Sequence, residues 1–106
     1  MGWIGVDLDG TLAQYEGFQG STHIGPPVEK MATLVKTWLA EGKDVRLLTA
    51  RANDAEAVPA IRAWCREHLG QVLPITACKD YSMWVLYDDR CVQVERNTGR
   101  LIGVDD

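Results

Sequence analysis

Four short apolar runs in this chain each stop at a small polar or acidic residue, and helical stretches separate the first three. The run Trp3 to Val6 ends at Asp7, and "DVRLLTAR", residues 44–51, reaches Thr49 after Val45, Leu47 and Leu48. "VLPIT", residues 72–76, is a third short strand, and "MWVLYDD", residues 83–89, is a fourth that ends in paired aspartates. β-Branched and apolar runs of this length read as buried strands. Between the first two, Val28, Met31, Ala32, Val35, Trp38 and Leu39 recur at helical spacing, with Pro26 and Pro27 placed to open the helix and Gly42 to close it. Between the second and third, Asn53 or Asp54 can cap a helix running to about Leu69, with Ile61, Cys65 and Leu69 as its apolar stripe and Gly70 as its stop. Pro59 complicates the first turns of that helix, so its regular part is expected to begin there.

Strands alternating with helices predict an α/β fold with a mainly parallel sheet, right-handed crossovers, and ligands gathered at the carboxyl ends of the strands. Residues 10–25 are rich in Gly, Ser, Thr and Gln and form a long loop, with room for a small turn or hairpin. "CVQVE", residues 91–95, is a candidate fifth strand, and "NTG", residues 97–99, turns the chain so that "RLIGV" can return as its hairpin partner. With 106 residues, the chain has the length of one domain, residues 1–106.

Several function classes lose support at this point. The formal net charge of −4 argues against a general nucleic-acid or membrane-surface binder, while leaving open a local basic site built from Lys43, Arg46, Arg51 or Arg90. The three cysteines are odd in number and form no C-x-x-C pair. They read as reduced thiols of a cytoplasmic protein rather than a disulfide framework or zinc site. No apolar run has the length of a membrane span, and the first residues lack the basic start and apolar stretch of a signal peptide.

The candidate chemical residues fall at strand ends: Asp7 and Asp9, Thr49, and Asp88 and Asp89, with Lys79 in the loop after the third strand. Four carboxylates at one sheet end repel each other strongly in a low-dielectric setting. A hard divalent cation removes that repulsion. Mg²⁺ takes oxygen ligands and keeps waters and phosphate oxygens in its shell, so the pairs suggest magnesium and phosphate chemistry. Each residue also has an ordinary explanation. Asp-x-Asp-Gly makes a good turn, Thr49 can simply end a strand, and Lys79 can be a surface lysine. Arg51 can meet substrate or sit in a surface ion pair, and His23 reads as a plain loop histidine. The four tryptophans read as core or rim residues.

"DLDGT" resembles the first signature of the haloacid dehalogenase (HAD)-like superfamily of phosphohydrolases. "LLTA" resembles the second, Lys79 is the candidate for the third, and "YDD" resembles the fourth; they come in the family's order over residues 4–89. The resemblance implies a Rossmann-like three-layer domain and a Mg²⁺-dependent phosphomonoesterase. In that scheme Asp7 is the nucleophile that forms an aspartyl-phosphate, and Asp9 is the general acid and base. Asp7, the Asp9 carbonyl, Asp88 and Asp89 hold Mg²⁺. Leu8, Gly10, Thr49, Ala50, Arg51 and Lys79 surround the phosphoryl group, and Thr49 and Lys79 count with the two aspartates as catalytic.

Residues 12–25 are too few for the folded cap domain many such phosphatases carry, so the expectation is a capless member. In the family, an open site goes with large substrates or with a partner subunit as lid, which makes a homo-oligomer covering the site one arrangement to look for. The substrate class is a phosphorylated small molecule or macromolecule, nucleotides included. The competing class is a non-catalytic phosphate- or metal-binding interaction module on the same scaffold; dehalogenation is a poor third, needing neither metal nor second aspartate. "ACKDYS", residues 77–82, leaves no room for the helix that usually separates the third strand from the fourth.

Overall fold

A computed structural model describes residues 2–104. Its main sheet has four parallel strands, β1 (Trp3–Val6), β2 (Val45–Leu48), β3 (Ile75–Thr76) and β4 (Met83–Tyr87), in the spatial order β3-β2-β1-β4. Helix α1 (Glu29–Ala40) links β1 to β2 and helix α2 (Ala57–Leu69) links β2 to β3. The two crossovers step across the sheet in the same direction, so a common handedness puts both helices on one face. The core agrees: Ile4, Val6, Val45 and Leu47 of the sheet pack with Ala32 and Val35 of α1 and with Ala57, Ile61, Trp64, Cys65 and Leu69 of α2.

The described residues place no helix on the other face. Residues 77–82 connect β3 to β4 there, and Asp80 accepts a 2.8 Å hydrogen bond from the Trp3 indole while Arg46 lies over the Trp3 ring. The parallel α/β architecture expected from the sequence is present, with two layers of it seen. The six residues 77–82 between β3 and β4 form no helix that would make a third.

Element boundaries moved where backbone donors and acceptors were already committed. Pro26 and Pro27 do not open α1. The Pro26 carbonyl accepts from Gln14 N–H, Val28 N–H donates to the Leu12 carbonyl at 2.7 Å, and Ala13 bridges Pro27 in antiparallel fashion. This pairing clamps the base of the 14–25 loop, and the buried Trp64 indole fastens it by donating to the Gly25 carbonyl. The second helix was expected from Asn53 or Asp54. Instead a 3-10 turn, Ala50–Asn53, comes first and α2 starts at Ala57, which leaves Pro59 in the first turn where no N–H is required. β3 is only two residues long because Pro74 cannot donate, which suits an edge strand. The fifth strand shrinks to β5 (Gln93–Val94), antiparallel to β6 (Leu101–Ile102) in a separate hairpin that turns through Asn97 and Gly99, both at positive φ. Trp84 is not a core residue. The β1–β4 register slips between Trp3 and Ile4, and Trp84 falls at the slip, turned out and 55% exposed.

Candidate functional site

Three strands end at one rim. Asp7 follows β1 directly, Thr49 follows β2 and Asp88 follows β4, with Asp7 N–H donating to the Tyr87 carbonyl and Thr49 N–H to the Thr76 carbonyl. Asp7, Asp88 and Asp89 thereby converge: each offers a carboxylate oxygen, and the three oxygens lie within 4.8 Å of one another. A cavity of about 480 Å³ opens over them, walled by Asp7, Asp9, Thr49, Ala50 and Arg51 on one side and by Asp88 and Asp89 on the other, with Tyr15 and Arg90 at its border.

The surroundings act on Asp7: burial first, then the Asp88 charge and the hydrogen bond and charge of Asp89, against a hydrogen bond from the Leu8 backbone, together push its carboxyl up from 3.8 to about 7. A half-buried carboxyl in that state sits unfavourably as an anion unless a cation joins it. Three carboxylate oxygens at this spacing are a donor set that suits a hard divalent ion.

Two neighbours build the cluster. Thr11 is buried, and its hydroxyl donates to Asp89 Oδ1 at 3.0 Å while accepting from the Asp89 N–H at 2.9 Å. One side chain thus fixes the far end of the chain to the turn after β1. Gly10 has φ +89, and a Cβ there would stand 2.5 Å from Asp89 Oδ2. Only glycine both tolerates that backbone and lets Asp89 approach. Asp88 is oriented by the Arg90 N–H, which donates to its Oδ1 at 2.8 Å.

Asp9 stands apart from the three converging carboxylates. Arg51 Nε donates to its Oδ2 at 2.9 Å, and Arg51 Nη1 donates to the carbonyls of Ser21 and His23. Of the two openings left by the sequence, the structure places Arg51 in an ion pair that is inside the site rather than on the surface. Asp9 Oδ1 is buried with no hydrogen-bond partner among the described residues. Thr49 Oγ1 accepts from the Arg51 N–H at 3.2 Å, capping the 3-10 turn, so its own proton remains free to donate.

The sequence-derived set comes together only in part. Asp7, Asp9, Thr49, Ala50, Arg51, Asp88 and Asp89 share the cavity. Leu8 is buried; its N–H serves Asp7, and its carbonyl accepts from Leu12 and Ala13. Gly10 lies beside Asp89.

Lys79 is elsewhere. It is exposed and borders a different cavity with Asp80, Tyr81 and Met83. Having left β3 at Thr76, the connection must return to the start of β4, and Asp80 is already held at the start of β1 by Trp3. Lys79 is carried along with it. The basic residues that do line the cavity over the carboxylates are Arg51 and Arg90. Of the four basic residues considered for a local patch, Lys43 pairs with Glu41 and Arg46 with Asp44, before and within β2, while Arg51 and Arg90 line the cavity at the rim. Tyr15 was not singled out from the sequence; Thr11 entered there only as the end of "DLDGT" and Arg90 only as one of four basic residues.

No helix among the described residues is long and apolar enough to cross a membrane. No family model, curated protein or solved structure matches the chain.

Proposed function

We propose that this protein is a Mg²⁺-dependent phosphomonoester hydrolase of the HAD-like type, capless, working through an aspartyl-phosphate in the cytoplasm. The observation that carries this reading is the convergence of Asp7, Asp88 and Asp89 at the carboxyl rim of a parallel sheet, next to Arg51. The Rossmann-like core belongs to the proposal too, in a reduced form with one helical layer.

Asp7, the Asp9 carbonyl, Asp88 and Asp89 would hold the ion, which when bound withdraws charge from the phosphoryl oxygens and lets an anionic nucleophile meet an anionic ester. The Asp7 carboxylate attacks phosphorus and the bond from phosphorus to the ester oxygen breaks. The departing oxygen keeps the electron pair and takes a proton from Asp9, so an alcohol leaves. Water then attacks the aspartyl-phosphate, Asp9 takes back a proton, and phosphate departs as the Asp7 bond to phosphorus breaks. Arg51 fixes the Asp9 carboxylate through Oδ2, which holds it at the wall of the cavity. Thr49 and Arg90 line the same cavity, where they would meet the transferring group. Positioned charge of this kind accounts for most of phosphoryl-transfer catalysis.

The test is phosphate release from phenyl phosphate with and without Mg²⁺, by wild type and Asp7→Asn. Metal-dependent turnover that the substitution abolishes is the expected result. Activity that survives it removes the covalent mechanism. Metal binding without turnover of any ester favours the non-catalytic module.

A further inference from the structure

Asp9, Tyr15 and Arg51 border two cavities at once: the one over the carboxylate cluster, and a smaller one of about 140 Å³ under the 14–25 loop. The smaller one is also lined by the polar residues Gln14, Glu16, Gln19 and His23, with Gly17, Gly25 and Pro26 supplying apolar wall. From this shared wall we infer that the second cavity is the leaving-group subsite, and that it takes a single uncharged sugar ring stacked on Tyr15. The inference rests on the phosphatase reading and assigns its substrate class.

The placement follows from Asp9. If Asp9 protonates the departing oxygen, that oxygen lies beside Asp9 while phosphorus lies over Asp7. Whatever the oxygen carries extends past Asp9, away from the carboxylate cluster, and the cavity under the loop is the space there. Its volume sets the size, since a cavity of about 150 Å³ holds one benzene ring. One six- or five-membered ring fits, and anything attached to it lies outside.

Its lining sets the polarity. Two glutamines, a histidine and a glutamate offer donors and acceptors suited to hydroxyl groups, and the half-exposed Tyr15 ring offers a face for the ring's C–H bonds. Its charge excludes a second anion. Arg51 is engaged by Asp9 and the loop carbonyls, and Glu16 makes no ion pair among the described residues. The cavity is held in shape by the clamp at its base and by Arg51, so the subsite is built before substrate arrives.

The experiment compares kcat/KM, in Mg²⁺, for ribose 5-phosphate, uridine 5′-monophosphate, glycerol 3-phosphate and fructose 1,6-bisphosphate, with phenyl phosphate as the check that the machinery runs. Both ribose esters should exceed glycerol 3-phosphate by about tenfold or more, the scale of one well-made pocket contact. Their ratio to each other tells whether the ring comes as a free sugar or within a nucleotide. The bisphosphate should be the poorest ring substrate. Tyr15→Ala should lower the ribose esters by about tenfold and glycerol 3-phosphate by less than about twofold, while Tyr15→Phe keeps the preference. Equal rates for ribose and glycerol esters while phenyl phosphate is hydrolysed overturn this inference and leave the phosphatase reading standing, as does a Tyr15→Ala effect equal on all esters. No hydrolysis of any ester removes both.

Discussion

Replacing Asp7 should make the metal-free protein more stable. In the folded chain the Asp7 carboxyl is pushed up from 3.8 to about 7, first by burial and then by Asp88 and Asp89. Between those pH values the folded state holds a proton that the unfolded state has released, so stability falls as pH rises through that window and stays low above it. At 1.36 kcal/mol per pH unit the ceiling is about 4 kcal/mol. Asp7 is only half-buried, and solvent screening brings the figure down to about 1–2 kcal/mol.

Asp7→Asn removes the charge and keeps the shape, with an amide that can donate toward Asp89. In EDTA at pH 8 the variant should therefore unfold about 1–2 kcal/mol later than wild type, roughly 5–10 °C in Tm. At pH 5 the gap should narrow. Asp44, Asp80 and Glu95 are held low by Arg46, Trp3 and Arg100 respectively and titrate with the opposite sign. They are common to both proteins and cancel in the comparison. Mg²⁺ should reverse the ranking at pH 8, since it binds the folded wild type better. A variant no more stable than wild type at pH 8 without metal would refute the reasoning, because the carboxylates would then not be in conflict.

Gly10→Ala forces a Cβ to within 2.5 Å of Asp89 at a backbone φ of +89; titration calorimetry should show Mg²⁺ affinity weakened by on the order of 1–3 kcal/mol. Arg51→Lys keeps a charge but loses the fork that joins Asp9 to the loop, and kcat on phenyl phosphate should fall about 10²-fold. Lys79→Ala should leave that rate within about twofold of wild type, and a large loss would return Lys79 to the site. Leu47, wholly buried between β1 and β3, should cost about 2–5 kcal/mol on truncation to Ala, read by urea unfolding.

The parts of this fold legible in the sequence are those decided by local pattern. Trp3–Val6, Val45–Leu48 and the periodic stripes of both helices needed only apolar spacing to be placed, and the strand ends then delivered Asp7, Thr49 and Asp88 to one rim. What escaped was decided by distant partners. Pro26 and Pro27 look like a helix start, but the Pro26 carbonyl and Val28 N–H are claimed by residues 12–14. Trp84 looks like core, and a one-residue slip against β1 turns it outward. Lys79 follows a strand like a phosphate ligand, yet the position of Asp80 under Trp3 draws it off. Arg51 could go either way on sequence alone, and only the closure of the loop onto its guanidinium decides it.

β2 and β3 lie between β1 and its neighbour β4 in the chain, and Thr11 waits for Asp89 across 78 positions. A nascent polypeptide therefore carries Asp7 long before Asp88 and Asp89, which converge on it. Truncated products, abandoned midway through translation, would hold the first aspartates on an unpaired strand edge and be chemically inert. On the proposed mechanism, hydrolysis would wait until β4 has slotted in beside β1, so activity would report closure of the main sheet.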